Sequence, residues 1–303
     1  MIKRLVSVII PTYSRPDYII RSINSVLAQT YQNIEIIVVD DNGIGSIYQK
    51  ETEKILLQHI ETKKVKYIAH PVNKGGSAAR NTGLFASNGE YVTFLDDDDE
   101  MDPRKIEYQV NAIEQSGQPN VMAAYCSCVI KRGDRIIHKA MAYKSGNFHD
   151  DMLRKKFGLG SGSNLLLKSD AAKKIEGYNE SFLRRQDIEF TIRYFRHYDI
   201  IAVPEILLIK HNDSKPRRPK ARDYIKIEEH FLSFFESDIK ALKKEYADDV
   251  YYSRYVGLAI VAVNEPDLKF ALCMIKKACK YKIIKFSDCL SLFYNLIFKP
   301  QRR

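Results

Sequence analysis

The chain has 303 residues, of which 45% are hydrophobic and 28% charged, and its formal net charge is +10. This composition is ordinary for a folded chain and excludes wholesale disorder, and no apolar run reaches the roughly 18 to 20 residues of a transmembrane helix. The five cysteines lack paired spacing. They therefore indicate neither a disulfide framework nor a zinc site, and they favour a reducing, cytoplasmic compartment.

The first hundred residues alternate apolar strands with helical segments. The continuous run 5–11 is rich in β-branched residues and predicts a strand that is buried on both faces. The elements predicted after it are a helix over 17–29, a strand over 34–39, a helix over 47–60, a strand over 65–69, a helix over 77–86 and a strand over 91–95. This alternation predicts an α/β fold with a mostly parallel central sheet and right-handed crossovers.

The middle third has a less regular pattern, and the last third is helical. The elements predicted there are a hairpin over 121–130 and 135–140, a strand over 163–167, a helix over 185–197, a strand over 200–209, and helices over 224–245, 251–263, 268–281 and 287–298. We therefore expect an α/β domain over 1–215 and a helical C-terminal region over 216–303.

The excess positive charge lies in two segments. Residues 212–222 hold five basic residues against one acidic residue, a net charge of +4, and residues 265–303 hold nine against three, a net charge of +6. Such segments are either solvated surfaces or attract polyanions such as phosphates or an anionic membrane. We do not expect nucleic acid as a partner, because no helix-turn-helix, zinc-finger or base-stacking pattern accompanies the charge.

Polar clusters follow three of the predicted strands, at 11–14, at 40–42 and at 96–99, where four aspartates stand in a row. Each cluster alone is ordinary turn or helix-start chemistry. Together they predict a binding site, because ligands of parallel sheets collect at the carboxyl ends of the strands. The spacing Asp96-x-Asp98 would place two carboxylates on the same side of an extended segment, which suits Mg²⁺ or Mn²⁺.

Four segments, 6–13, 39–42, 73–83 and 94–99, resemble in order and spacing the family 2 inverting glycosyltransferases of the GT-A fold. Residues 158–164, 177–180 and 186–187 are similar to the acceptor half of the same domain. The resemblance implies a nucleotide-binding half over about 1–100 and an acceptor half over about 101–215. The chain contains neither tryptophan nor a Gln-x-x-Arg-Trp motif, so the similarity is to enzymes of single addition rather than to processive synthases.

The resemblance also implies a site for a nucleotide-sugar donor, in particular a UDP-sugar. Pro11, Thr12 and Tyr13 would surround the nucleoside. Asp41 would accept a hydrogen bond from the uracil N3–H, and Arg80 would lie near the base or the diphosphate. Residues 73–83, which carry Arg80, form a glycine-rich turn that opens a helix and by itself is a weak phosphate signal.

For the chemistry, the resemblance implies a metal ion and a base. Asp98 and Asp96 would hold Mn²⁺ or Mg²⁺, with His211 as a further ligand. Asp97 is assigned to nucleotide binding, and the register within 96–99 stays open. Asp187 would be the catalytic base that accepts the proton of the acceptor hydroxyl, in a single displacement that inverts the anomeric centre. Gln186 stands where the family usually has a glutamate. The acceptor would be a saccharide or a lipid-linked saccharide.

Two other functions remain open. A nucleotidyltransferase also uses a nucleotide and carboxylate-bound metal, but it would need a glycine-rich triphosphate loop after the first strand, where this chain has Pro-Thr-Tyr. A non-catalytic nucleotide-sugar-binding module would tolerate loss of Asp98 or Asp187, and both are present.

The C-terminal segment 268–298 interleaves apolar residues with lysines. This pattern suits helices that lie on an anionic membrane surface, with the protein peripheral at the inner face of the cell membrane. It equally suits a helical appendage packed on the catalytic domain or a homodimer contact. The basic segment 212–222 is expected to form a flap near the diphosphate.

Overall fold

The computed structural model describes residues 4–212, 220–265 and 267–297. Within them the chain forms two compact units, one from Met1–Phe148 with Leu159–Lys215 and the other from His149–Gly158 with Pro216–Arg303. Residues 149–158 thus group with the C-terminal helices. The predicted domains, 1–215 with its two halves and 216–303, stay a prediction. Most of the predicted flap at 212–222 lies outside the described residues.

The first four strands and three helices follow the predicted order. They are β1 (Val6–Thr12), α1 (Pro16–Leu27), β2 (Ile34–Asp40), α2 (Ile47–Glu61), β3 (Lys66–Ala69), α3 (Gly76–Phe85) and β4 (Tyr91–Phe94). Ile9 and Val38 are fully buried, which explains why these strands carry β-branched residues on both faces. Helix α1 begins at Pro16, whose fixed φ suits a first helical turn, and it buries Ile19 and Ile23 in the core.

The second half of the domain contains short elements that the sequence pattern does not predict. The elements are β5 (Asp99–Met101), α4 (Lys105–Gln115), β6 (Val121–Arg132), β7 (Arg135–Ala140), α5 (His149–Leu153), β8 (Leu165–Lys168), α6 (Ser169–Lys174), α7 (Gln186–Phe195) and β9 (Asp199–His211). Of these, β5, α5 and α6 are not predicted. The strand predicted over 163–167 begins instead as a 3₁₀ turn, Gly162–Asn164.

The strands form one sheet in the order β3-β2-β1-β4-β8-β6-β9-β5, with β7 paired to β6. The first four are parallel to one another. Beyond β4 the sheet is mixed, since β8 is antiparallel to both β4 and β6, β9 is parallel to β6, and β5 is antiparallel to β9. The predicted α/β class is confirmed, and the fully parallel part of the sheet is its N-terminal half, β3-β2-β1-β4.

The carboxyl ends of β1, β2 and β4 meet at one edge of this sheet. Thr12 stands in register with Asp40, and the backbone N–H of Asp41 donates to the carbonyl of Thr12 at 2.9 Å. The N–H of Leu95 donates to the carbonyl of Ile9, also at 2.9 Å. The three predicted polar clusters therefore come together as expected, and they begin the candidate site.

The second unit is helical, as the sequence pattern indicates. Its remaining helices are α8 (Ala221–Phe234), α9 (Glu236–Ala241), α10 (Lys244–Val263), α11 (Leu268–Cys279) and α12 (Phe286–Ile297). The helix predicted over 224–245 is thus broken into three pieces. The core of this helical unit holds a buried ion pair, in which Arg254 donates to Glu228 at 2.8 Å and stacks on Phe231. Within the described residues, no helix combines the length and the apolar character needed to cross a membrane.

Candidate active site

The aspartate run 96–99 forms a tight turn between β4 and β5. The N–H of Asp99 donates to the carbonyl of Asp96 at 3.0 Å, and the Ser22 hydroxyl lies 2.7–2.8 Å from the carbonyl oxygens of Asp97 and Asp99. The Ser163 hydroxyl accepts from the N–H of Asp96 at 3.1 Å. Because the backbone turns here, the extended geometry expected for Asp96-x-Asp98 is wrong, and the carboxylates meet different partners.

Asp96 and Asp99 share the half-buried cation Lys210, and Asp96 also binds Arg80. Arg80 Nη2 lies 2.6 Å from Asp96 Oδ1, and Lys210 Nζ lies 3.1 Å from Asp99 Oδ2 and 3.6 Å from Asp96 Oδ2. Burial would raise the pKa of Asp96, but the charges of Arg80 and Lys210 outweigh it and hold this pKa at about 2. For Asp99 burial dominates, and its pKa rises to about 7 although Lys210 opposes the shift. Asp96 is therefore the firmly ionised member of this pair.

Asp97 and Asp98 share a different cation, Arg15. Arg15 Nη2 lies 2.6 Å from Asp97 Oδ1, and its Nη1 donates to Asp98 Oδ2. The other oxygen of Asp97 accepts from the Thr12 hydroxyl at 2.8 Å, and burial raises the pKa of Asp97 to about 7 despite Arg15. Asp98 is partly exposed, and its backbone carbonyl accepts from Arg21 at 2.7 Å. Arg15 therefore covers the Asp98 carboxylate, which is the more accessible of the two.

Asp187 lies in the first turn of α7 and faces Gly162. Its Oδ1 is buried and has no hydrogen-bond partner among the described residues, and a Cβ added at Gly162 would lie only 2.6 Å from it. Burial raises the pKa of Asp187, and the nearby charge of Arg80 partly offsets this rise. Gln186 accepts weakly from Arg80 at 3.4 Å. A glutamate at that position would add a negative charge beside Asp187, and glutamine does not.

Asp41 does not point a free carboxylate into the site. Its oxygens accept from four donors of the following loop: His70 Nδ1 at 2.7 Å, Asn73 Nδ2 at 2.8 Å, and the N–H groups of Lys74 and Gly75, each at 2.8 Å. A carboxylate has about four acceptor positions. A base N–H could bind Asp41 only if one of these bonds were given up. In this arrangement Asp41 holds the loop 70–75, and its contact with a uracil base stays a prediction.

The remaining predicted residues lie in different places. Pro11 and Thr12 belong to β1, and Tyr13, just beyond it, is 53% exposed and free to stack on a planar ligand. His211 Nε2 lies 3.1 Å from Glu100 Oε2. Successive residues of a strand point to opposite faces, so Lys210 and not His211 is the β9 residue that reaches the acidic turn. The structure places His211 beside Glu100, and its role as a metal ligand stays a prediction.

The donor set fits a divalent ion that is shared with a ligand, and not a metal cage made by protein alone. Within the described residues, no group of three or more His, Cys, Asp or Glu side chains is arranged to hold a metal. Mg²⁺ and Mn²⁺ commonly take one or two carboxylates together with substrate phosphates. When all five carboxylates of 96–99 and Asp187 are ionised, they exceed the three cations Arg15, Arg80 and Lys210 by two negative charges, which one such ion would neutralise. A bound cation would favour the ionised forms of Asp97 and Asp99, whose pKa values are raised.

Sequence reasoning missed Arg15, Lys210, Ser163 and Gly162. Arg15 directly follows the polar cluster 11–14, and Lys210 directly precedes the predicted His211. Both could have been found by extending the search by one residue at each strand end. Ser163 and Gly162 lie in the segment 158–164 that resembles the acceptor half, but their roles could not be assigned, because these depend on contacts with segments far away in sequence.

Solved structures share this fold. A structure of S. aureus TarS residues 1–349 in complex with UDP-GlcNAc matches with a TM-score of 0.61 at 15% identity, covering 90% of this chain and 89% of that one. The mannosyltransferase PcManGT from Pyrobaculum calidifontis, solved with GDP-Man and Mn²⁺, matches with a TM-score of 0.58 at 18% identity, covering 97% and 80%. At such identities the likeness establishes the fold, which is the predicted GT-A glycosyltransferase fold.

The sequence comparisons are more specific. The family model described as glycosyl transferase family 2 matches residues 7–176, and the chain belongs to this family. An uncharacterised glycosyltransferase of Rickettsia conorii is 33% identical over 213 residues, which are 68% of this chain and 33% of that protein. The amylovoran biosynthesis glycosyltransferase AmsB of Erwinia amylovora is 30% identical over 62% of each chain. The match thus spans about a third of the length of the Rickettsia conorii relative.

Proposed function

We propose that the protein transfers a sugar from a nucleotide-sugar donor, in particular a UDP-sugar, to a saccharide or lipid-linked saccharide. In this proposal the transfer inverts the anomeric centre, depends on a divalent metal ion and adds one sugar at a time. The observation that carries it is the Asp187 carboxylate, which is half-buried, has one buried and unpartnered oxygen, and belongs to the same ionic network as the acidic turn. Membership in family 2 supports the reaction class, and TarS with UDP-GlcNAc supports the donor class.

The acidic turn is the proposed metal and phosphate site. Asp98, assisted by Asp96, would hold Mn²⁺ or Mg²⁺, and that ion, when bound, would offset the charge that develops on the departing nucleoside diphosphate. Arg15 is the cation best placed to change partners, since it is on a loop and partly exposed. Arg80 is held by the partly exposed Asp96 and Lys210 by the buried Asp99, and both cations keep the turn in position.

Asp187 is the proposed base. As the acceptor oxygen forms its bond to the anomeric carbon, the bond from that carbon to the donor phosphate breaks, and the hydroxyl proton passes to the Asp187 carboxylate. A raised pKa makes this carboxylate a stronger base, and its unpartnered oxygen can accept the proton without losing an internal bond. By analogy with glycoside hydrolysis, the transition state has oxocarbenium character and no covalent intermediate is required.

The nucleoside would lie between Tyr13 and the end of β1. Tyr13 offers an exposed ring for stacking. Pro11 and Thr12 shape the strand end, and Thr12 holds Asp97. Asp41 fixes the loop 70–75, and it would accept from the uracil N3–H if one of its loop bonds were exchanged for the base. The proposal places the protein in the cytoplasm, at the inner face of the cell membrane, with a homodimer as the alternative use of its C-terminal helices.

The test of the base compares two aspartates in equivalent helix positions. Asp187→Asn should reduce turnover by a factor of about 10² to 10⁴, with nucleotide affinity little changed, because the residue acts on the acceptor. Asp170, exposed in the first turn of α6, supplies the control. It follows Lys168, which pairs with Tyr91 at the start of β4, so Asp170→Asn removes a helix N-terminal charge at the sheet edge opposite the site. If both variants lost activity equally, or if Asp187→Asn lost donor binding with turnover intact at saturation, Asp187 would not be the base.

The same assay separates the competing functions. The transferase releases a nucleoside diphosphate from the nucleotide sugar, and a chelator stops the release. A nucleotidyltransferase would release pyrophosphate from a nucleoside triphosphate instead. A non-catalytic module would bind the nucleotide sugar and release neither product.

A further inference from the structure

Helix α12 is turned with its apolar side outwards. Phe286 is 77% exposed, Leu290 52%, Phe293 58% and Ile297 53%. These residues are at positions i, i+4, i+7 and i+11, so they form one stripe along the helix. Ile283, just before the helix, is also exposed.

The inward side of α12 is more polar than its outward side. Asp288 accepts from the Tyr252 hydroxyl at 2.5 Å, and the buried side chain of Asn295 donates to the Ser291 carbonyl at 2.6 Å. Leu292 is the apolar residue that packs inwards, against clusters that include Ala271 and Met274. A surface helix normally has the opposite polarity. An exposed apolar stripe of this length is typical of a surface that is covered by a partner.

The neighbouring helix α11 also exposes apolar residues, and it exposes lysines beside them. Its exposed residues include two leucines and three lysines: Leu268, Leu272, Lys269, Lys276 and Lys280. Over 267–297 the chain has six lysines against two aspartates, a net charge of +4. Both aspartates are engaged, since Asp267 pairs with Arg222 at 2.6 Å and Asp288 binds Tyr252. Of the lysines, Lys282 pairs with Asp249 at 2.7 Å. The surface is therefore apolar and cationic.

We infer that the exposed faces of α11 and α12 bind an anionic lipid surface. The α12 stripe would lie in the interface between headgroups and acyl chains, with the lysines on the headgroups. At 1.5 Å per residue, the 12 residues of α12 span about 18 Å, which is too short to cross a hydrocarbon core of about 30 Å. The helix would thus lie on the membrane. A second copy of the chain is disfavoured, because it would bring lysines against lysines. This inference goes beyond the proposed chemistry and does not depend on it.

Flotation of the full chain with vesicles tests the inference. Neutral phosphatidylcholine vesicles are compared with vesicles that also contain about a third of phosphatidylglycerol. The chain should float with the anionic vesicles at low salt and dissociate as salt rises, because the attraction is screened. Equal binding to both kinds of vesicle, or binding to neither at low salt, would overturn the inference.

Two matched substitutions assign the binding to the stripe. Phe293→Ser should lower partitioning into anionic vesicles about tenfold, because it removes one large apolar contact. Phe85→Ser should leave it unchanged, since Phe85 is also 58% exposed but is at the end of α3. Both residues are exposed, so neither change should alter the thermal unfolding temperature. If the two variants bound vesicles alike, the stripe would not be the contact. If sedimentation showed a dimer that Phe293→Ser dissociates, with no vesicle binding, the occupant would be a second copy.

Discussion

Replacing Gly162 with alanine should move the Asp187 carboxylate while leaving the fold intact. The new Cβ would lie 2.6 Å from Oδ1, 2.8 Å from Cγ and 3.0 Å from Oδ2 of Asp187. Ordinary contact begins at 3.4 Å, so the carboxylate or the turn must shift by roughly 0.8 Å. A misplacement approaching 1 Å costs catalysis about 100-fold. We therefore expect turnover to fall by about two orders of magnitude.

The stability of the Gly162→Ala variant should change little. The φ of Gly162 lies outside the left-handed region, so alanine fits the backbone, and it lowers the entropy of the unfolded chain by an amount worth about 0.4–1 kcal/mol. This stabilisation offsets part of the free energy that the close contact between the new Cβ and Asp187 costs. The free energy of unfolding, measured with urea, should stay within about 1 kcal/mol of wild type.

The control for Gly162→Ala is on the same glycine-rich stretch of sequence. A Cβ at Gly158 would meet nothing within 4 Å, and its φ is also outside the left-handed region. Gly158→Ala should therefore keep wild-type turnover. The assay is release of nucleoside diphosphate from the nucleotide sugar at saturating donor. Wild-type turnover in Gly162→Ala, with the protein folded, would refute the claim that the position of Asp187 governs the chemistry.

Two further predictions concern the metal and a buried lysine. Asp98→Asn should abolish metal-dependent turnover and weaken Mn²⁺ binding, whereas Arg15→Gln should tighten Mn²⁺ binding by up to about fivefold, because it frees the Asp98 carboxylate. Arg21→Gln is the control, because Arg21 donates to the backbone carbonyl of Asp98 and not to its carboxylate. Equal effects of Arg15→Gln and Arg21→Gln in a Mn²⁺ titration would contradict the assignment. Lys105 is fully buried and its Nζ has no partner among the described residues, so burial lowers its pKa from 10.5 to about 8. Between those pH values Lys105 is protonated in the unfolded chain and neutral in the folded chain, so its contribution to the free energy of unfolding should rise with pH, by up to about 3 kcal/mol. Lys105→Met should remove that rise, and an unchanged slope would show that Lys105 is not the group responsible.

Much of the fold could be predicted because its signals are local. The β-branched runs that became β1, β2 and β4 are buried on both faces, and the polar residues that follow them meet at one sheet edge. The same rule located Asp96–Asp99 and Thr12. By contrast, β5 has only three residues and exists through pairing with β9, about 110 residues away. The local sequence around residues 99–101 therefore does not predict this strand.

The partners of the site residues could not be predicted for the same reason. Asp41 is held by a loop 29 to 34 residues away, and Lys210 reaches Asp99 across 111 residues. A motif specifies which residue type is present, but competition between partners decides where its side chain goes. The orientation of α12 is a further case. Its pattern predicts an amphipathic helix, and only packing shows that the apolar stripe faces outwards.

The most direct test of the central claim is release of nucleoside diphosphate from a panel of nucleotide sugars, with Mn²⁺ and with chelator, by wild type and by Asp187→Asn. The account predicts release by the wild type from at least one nucleotide sugar, in particular a UDP-sugar, that requires the divalent ion. It predicts that Asp187→Asn binds the same nucleotide with similar affinity and releases diphosphate at least 100 times more slowly. Equal rates for the two proteins, or no release by wild type from any nucleotide sugar that it binds, would contradict the account.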